Sequence, residues 1–320
     1  MYSSSGATLR ADLNGVVEDA FKADSMFIGD RACPPVLVDA KSGTYPKLSI
    51  ADAELLTAGS TVRSRGGEYG KVSRKWGNDT YDCIDRGLEE PVDDVDVKDL
   101  QRFFPVEAFA ARLVLRNMRT DFESRAAAVI NSATNWGAGT NSAVAYTEAN
   151  IATISLIADI LAAIERVRDN GADPNTIVMS STVWNRVRRG TLVLNFVRGS
   201  VAANAEVTPN TLQQALADEG IEQVLIGRSR ENTAKKGQAK SMSSIWGTTY
   251  VWVGYVSRAA ATLYEVGACA TLVWNAEGGL FVSETYRDEG RRSNIVRVRQ
   301  NTTEKCINAT LGTLITTQWA

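Results

Sequence analysis

Between Phe104-Pro105 and Asn131 the apolar side chains recur at intervals of three and four: Val106, Phe109, Ala110, Leu113, Val114, Met118, Phe122, Ala126, Val129 and Ile130. That interval places them on one face of an α-helix. A proline suits a first helical turn and disfavours helix at the residue before it, so Pro105 marks the start. The stripe runs for about seven turns, which at about 1.5 Å per residue makes a helix close to 40 Å long, about the length of a small domain. Such a helix serves as a spine, and its stripe predicts core packing rather than a cofactor groove. Arg119 and Glu123, and Asp121 and Arg125, stand four apart and are expected on the other face as ion pairs.

Upstream of the spine the pattern is different. Residues 1–33 hold a short apolar pattern around Val16, Val17, Phe21 and Phe27 and read as an N-terminal arm with one short helix. An arm of this kind cannot build its own core; it either frays or lies on another surface, such as a neighbouring subunit. Residues 34–94 alternate β-branched and aromatic residues between turn signals at Gly66-Gly67, Gly70 and Gly77-Asn78-Asp79, which predicts an extended β-hairpin. Its stretch 61–75 is polar, with Arg63, Arg65, Lys71, Arg74 and Lys75 and few residues fit for a core. A two-stranded ribbon like this is marginal alone and gains stability by lying across another subunit. The carboxylates Glu89, Glu90, Asp93, Asp94 and Asp96 follow close behind in sequence and are candidate partners for those cations on the next copy.

Downstream, the small-residue segment 131–150 marks a boundary. A second amphipathic helix is expected over about 150–169, stopped by Gly171, then a buried strand at 175–180, a helix over 182–189 capped by Ser181, a helix opened by Thr208-Pro209, and strands at 222–227 and 249–256. Alternating strands and helices over this stretch describe a compact α/β unit. The polar, basic segment 233–244 reads as an exposed loop. Beyond 258 the chain reads as all β, with runs at 261–266, 271–275, 280–286, 294–299 and 304–318 that are expected to pack on the spine helix.

Composition narrows what such a chain can do. It has 320 residues, 35 basic and 37 acidic, with the two signs interspersed, so no basic field announces a grip on nucleic acid. It has no histidine at all, which removes Ser-His-Asp and Cys-His nucleophiles, His-ligated metals and imidazole proton transfer together. The four cysteines, Cys33, Cys83, Cys269 and Cys306, lack C-x-x-C spacing and are expected as reduced, partly buried thiols. There is no Walker loop and no G-x-G-x-x-G between a strand and a helix. No apolar run approaches the roughly 20 residues of a membrane span, and the opening residues lack the pattern of a signal peptide. No catalytic, cofactor or metal site is expected, and an enzyme working by carboxylates alone is the remaining enzymatic reading.

The order of elements, together with several local motifs, resembles the major capsid proteins of tailed bacteriophages, whose architecture is called the Johnson fold and is shared with encapsulin compartments. The motifs are Asp173-Pro174-Asn175-Thr176-Ile177-Val178-Met179-Ser180 followed by Val183-Trp184, then Thr208-Pro209, Val224-Leu225-Ile226-Gly227-Arg228, Ile245-Trp246-Gly247 and Val253-Gly254-Tyr255-Val256. The resemblance covers about 34–308. It implies an α+β fold with an N-terminal arm at 1–33, an extended β-hairpin loop region at 34–94, a spine helix and linker of a peripheral domain at 95–144, an inserted axial α/β domain at 145–257 and peripheral-domain strands at 258–320. It also implies a homo-oligomer of hexamers and pentamers forming an icosahedral shell around double-stranded DNA, held without sequence-specific contacts. The implied helpers are a separate scaffolding protein, a portal and a decoration protein. The implied location is the virion, assembled in the bacterial cytoplasm with no membrane involved. Residues Arg63, Arg65, Lys71, Arg74, Lys75, Glu89, Glu90, Asp93 and Asp94 are the expected inter-subunit contacts. Some relatives carry a Lys–Asn crosslink; Lys71, Lys75, Asn301 and Asn308 are the residues available for one, and none is assigned. An encapsulin-like compartment shell is the alternative within the same fold.

Overall fold

The computed structural model describes residues 8–9, 12–17, 25–48, 61–63, 65–69, 76–136, 140–141, 147, 153, 156–201, 206–235, 237–257, 267–277 and 279–316. In its first third the chain forms β1 (Thr8–Leu9), α1 (Gly29–Ala32), β2 (Pro35–Val38), β3 (Ser42–Leu48), β4 (Trp76–Asp82) and β5 (Ile84–Asp93). Then come α2 (Asp94–Leu100), the spine helix α3 (Val106–Ile130) and β6 (Thr140–Asn141). The middle holds α4 (Leu156–Asp169), β7 (Thr176–Ser180), α5 (Ser181–Val187), α6 (Thr191–Ser200), α7 (Pro209–Ala215), β8 (Gln223–Gly227), β9 (Arg230–Asn232), β10 (Met242–Ser244) and β11 (Tyr250–Gly254). The last strands are β12 (Cys269–Trp274), β13 (Val282–Asp288), β14 (Ser293–Cys306) and β15 (Gly312–Thr316).

Two sheets organise these elements. The outer sheet runs β1-β13-β14-β12-β2, with β5 paired along the other edge of β14. Strand β14 is 14 residues long, enough for β13 and then β12 to pair in succession along one of its edges. Alternation along β14 divides the sheet into two faces. Val296 and Val298 pack with Ala110, Val114, Leu115 and Met118 of the spine, and Glu304 on the same face holds Arg125 of the spine at 2.7 Å. Arg297 and Arg299 face away from the spine.

The inner sheet is mixed, with order β6-β15-β11-β7-β8. One of its faces, through Ile177, Met179, Val251, Val253 and Ile315, meets α4, α5 and α6. The other, through Val178, Leu225, Trp252 and Leu314, meets the C-terminal end of the spine at Ala126, Ala127 and Ile130. A single helix therefore lies under the outer sheet at its start and against the inner sheet at its end.

Several expectations are corrected. The final strand, expected with the other peripheral-domain strands of 258–320, instead pairs with β11 of the expected axial segment, in register Trp252↔Leu314. The turn at 307–311 carries the chain across, and Leu311, Leu314 and Ile315 find buried places there. Phe109 and Leu113 were expected in the spine's buried stripe, and both are exposed. At the start of α3 the face that meets β14 is formed by Ala110, Ala111, Val114 and Leu115. Conversely Arg119 and Glu123, expected on the solvent side, are buried. The described part of the arm needs no other subunit: residues 12–17 are helical, and Leu13 and Val17 pack against the spine. Helix α6 was not foreseen, although its run Leu192-Val193-Leu194 follows Gly190 at the N-cap. The segment 233–244, expected as a loop, ends in β10, which pairs with β9 just ahead of the segment to make a short hairpin.

Candidate assembly surfaces

Strands β3 and β4 form a two-stranded ribbon, with register running from Ser42↔Asp82 to Leu48↔Trp76. Its root is tied to β14. Lys305 Nζ donates to Asp79 Oδ1 at 2.7 Å and also to Thr80 O, while the Tyr45 hydroxyl donates to Asp79 Oδ2 at 3.2 Å. Although burial opposes it, the hydrogen bonds from Lys305 and from the Thr80 N–H hold the Asp79 carboxyl below its ordinary value. Burial and then the neighbouring Asp79 carboxylate push the Tyr45 phenol up.

Of the five basic residues singled out on the ribbon, Arg63 and Arg65 are described, and both are exposed. Arg63 Nε donates to Gly67 O at 2.6 Å and its guanidinium lies 4.9 Å from the Tyr69 ring centre. Lys71, Arg74 and Lys75 lie outside the described residues.

The acidic residues are placed by β5 and the start of α2. Register puts Glu89 directly opposite Arg297, and Arg297 opposite Glu284 on the next strand. Arg297 Nε therefore donates to Glu89 Oε1 at 2.6 Å, and the Tyr286 hydroxyl donates to Glu89 Oε2 at 3.0 Å. Asp94 receives both terminal nitrogens of Arg287, at 2.6 and 2.7 Å. Those hydrogen bonds, against a small desolvation, hold the Asp94 carboxyl below its ordinary value. The Asp93 side chain caps α2 by accepting from Val95 N at 2.8 Å. Burial pushes the Glu90 carboxyl up. Of the acids expected to meet a neighbour's arginines, Glu89 and Asp94 are thus engaged first within their own chain, because β13 and β14 bring Arg287 and Arg297 across from a distant part of the sequence. Glu89 and Asp94 still keep 41% and 40% of their side chains accessible.

A second surface was not foreseen. Helix α2 has no buried residue. Val95, Phe103 and Phe109 are 62%, 70% and 57% exposed, with Leu100, Phe104 and Leu113 beside them in the same stretch of α2, turn and early α3. The Phe104 and Phe109 rings lie 5.4 Å apart and the Arg102 guanidinium covers Phe103 at 4.8 Å. Isolated exposed apolar residues are ordinary, but a run of this kind marks an interaction surface. Its sequence signal is the pair Phe103-Phe104 just ahead of Pro105. Strand β5 borders this stretch, and among the described residues it pairs with β14 alone.

The two sheets are joined at Glu123. Its Oε1 accepts from Ile28 N at 2.9 Å, Trp246 Nε1 at 2.6 Å and Ser229 Oγ at 3.2 Å, and its Oε2 accepts from Gly29 N at 2.7 Å. One carboxylate thereby fastens the N-terminal segment, the spine and the Trp246 loop. Gly29 permits this approach, since a Cβ there would lie 2.6 Å from Glu123 Oε2. Burial pushes the Glu123 carboxyl above its ordinary value, and the four donors offset this only in part. Beside it, the Arg119 guanidinium stacks 4.5 Å from the Phe27 ring centre.

Among the described residues no group of acidic, cysteine or histidine side chains is arranged to hold a metal ion, and no helix is long and apolar enough to cross a membrane. No protein-family model and no curated protein matches the sequence. Solved structures do match. A phage-related protein from Bordetella bronchiseptica RB50 is 20% identical, with a TM-score of 0.69 over 97% of each chain. The capsid of cyanophage P-SCSP1u is 13% identical, with a TM-score of 0.56 over 90% of this chain and 86% of that one. A virus-like particle from Pyrococcus furiosus is 10% identical, with a TM-score of 0.57 over 95% and 97%. The chain therefore has the mixed α+β fold of tailed-phage capsid proteins, the Johnson fold.

Proposed function

We propose that this chain is a major capsid protein: it self-assembles as hexamers and pentamers into an icosahedral shell that encloses the double-stranded DNA of a tailed phage. The observation that carries the reading is the run of exposed apolar side chains on α2 and early α3, in a chain that also carries the two-stranded ribbon of β3 and β4. Surfaces like these are completed by another copy. The fold shared with the cyanophage capsid supports the same conclusion.

In this reading the outer sheet and spine form the peripheral unit. The segment 145–257, together with β15, forms the axial unit that meets its copies around the shell's axes. The ribbon's Arg63, Arg65, Lys71, Arg74 and Lys75 reach a neighbour, where the accessible sides of Glu89 and Asp94, the cap residue Asp93, and Glu90 and Asp96 receive them. Each exposed pair contributes at most about 1 kcal/mol and is screened by salt, so strength comes from the number of repeated contacts. A separate scaffolding protein, a portal and a decoration protein complete the particle, which is built in the host cytoplasm and resides in the virion. With acidic and basic residues nearly equal in number, the shell confines its DNA without reading it.

Negative-stain microscopy of the purified protein tests the proposal. Closed, uniform shells are expected, and a small soluble oligomer under all assembly conditions would overturn it. The likeness to the Pyrococcus furiosus particle supports a second reading, a shell that holds something other than a genome. Nuclease-protected DNA in particles purified from phage-producing cells decides for the capsid, and its absence decides for the compartment.

A further inference from the structure

The cysteines that look scattered in the sequence converge in the fold. Cys33, Cys269 and Cys306, three of the chain's four cysteines, meet where the end of α1, β12 and β14 join beneath the spine. Cys269 and Cys306 are direct cross-strand partners. The adjacent pair is the hydrogen-bonded one, because Ile307 N donates to Ala268 O at 2.9 Å. Alternation along an antiparallel ladder therefore makes Cys269 and Cys306 a non-hydrogen-bonded pair, the kind whose Cα atoms lie about 4.5 Å apart with side chains closest. That spacing falls within the range of about 4.4–6.8 Å that a disulfide spans. Cys33 is held alongside, its carbonyl accepting from Thr271 Oγ1 at 2.9 Å. Cys83 stands apart in a different cluster, its Sγ donating to Leu272 O at 3.6 Å.

We infer that Cys269 and Cys306 are a redox-modification site, converted by a small disulfide oxidant such as oxidised glutathione into a cross-strand disulfide that staples β12 to β14. Cys306 is the point of entry, being partly exposed where Cys33 and Cys269 are buried. Its thiolate attacks one sulfur of the oxidant; a Cys306–glutathione bond forms, the oxidant's own S–S bond breaks, and one glutathione thiolate leaves. The Cys269 thiolate then displaces the second glutathione from Cys306. The protein gives up two protons and two electrons, and the oxidant, taking both electrons, departs as two thiols. Burial pushes the Cys269 thiol up, so the second step is slow near neutral pH and quickens as the pH rises.

Peptide mapping of the full-length protein tests this directly. After incubation with oxidised glutathione, the chain is unfolded in acid, its free thiols are alkylated, and the digest is analysed by mass spectrometry without reductant. The expected product is one linked pair joining the Cys269 and Cys306 peptides, with Cys33 and Cys83 alkylated and the link lost on adding dithiothreitol. Alkylation of all four cysteines after prolonged oxidation would overturn the inference, as would a link through Cys33 or Cys83 or between chains. Oxidation is further expected to raise the urea midpoint of the wild type and leave that of Cys306→Ser unchanged; an equal rise in both would also overturn it. Should Cys306→Ser fail to fold, the wild-type map decides alone.

Discussion

Strand β7 buries all five of its residues, whereas β5, at ten residues, buries only Val92. The two strands belong to the two sheets of one molecule, and their difference separates what this chain covers by itself from what it leaves exposed. Around β7 the chain supplies both covering layers, helices on one face and the end of the spine on the other. Around β5 and α2 it supplies one layer and then presents phenylalanines, leucines and ion-paired arginines to the outside. The shell subunit proposed above would need both kinds of region, one that keeps its shape and one that is finished by assembly.

Substitutions at the junction should break the self-sufficient half. Glu123→Ala leaves four donors facing a cavity, and at about 1–3 kcal/mol for each unsatisfied buried group the loss should reach about 3 kcal/mol or more, read as a lowered urea midpoint of the unassembled chain. The pH dependence of the wild type carries the same signature. Because burial raises the folded-state value of Glu123 above the unfolded one, the folded chain binds this proton more tightly. Its contribution is then full below the unfolded value and is lost as pH rises through the folded one. Glu123→Ala should flatten that part of the stability profile.

The exposed half should respond in the opposite sense. Phe103→Asp, at a side chain 70% exposed, should change the stability of the unassembled chain by no more than about 0.5 kcal/mol and yet abolish shells in light scattering and microscopy. If instead the chain unfolds while assembly persists in the survivors, the division between the two regions fails. The smallest effect is expected from reversing Arg63 and Arg65 to Glu together. Assembly should slow, with little change in stability, and the difference from wild type should shrink as salt is raised, since each exposed pair contributes at most about 1 kcal/mol.

Much of the architecture was legible from spacing alone. The three-and-four periodicity behind Pro105 marks the spine, and Thr208-Pro209 marks a helix start that the structure makes with a full capping box. The run Thr176–Ser180 is a strand within a residue of its expected limits. What misled was the assumption that a helix has one buried face along its whole length. The spine changes partners midway, so its outer side near Phe109 is bare while Arg119 and Glu123, which look like a solvent-side pair, turn into the junction. The acidic cluster was legible as a cluster, but its first partners were not. Arg287 and Arg297 reach Asp94 and Glu89 from 193 and 208 residues away.

The sequence by itself determined the spine, α4, α7 and most of the strands, though not α2 or α6, because apolar spacing and turn residues act within one or two turns of chain, and the absence of histidine excluded whole classes of chemistry. The tertiary structure decided which elements share a sheet, where β15 goes, and why a glutamate stands in the core. Those outcomes depend on groups meeting across 95 or 123 residues, and the cost of closing such loops grows so slowly with length that no local pattern records it.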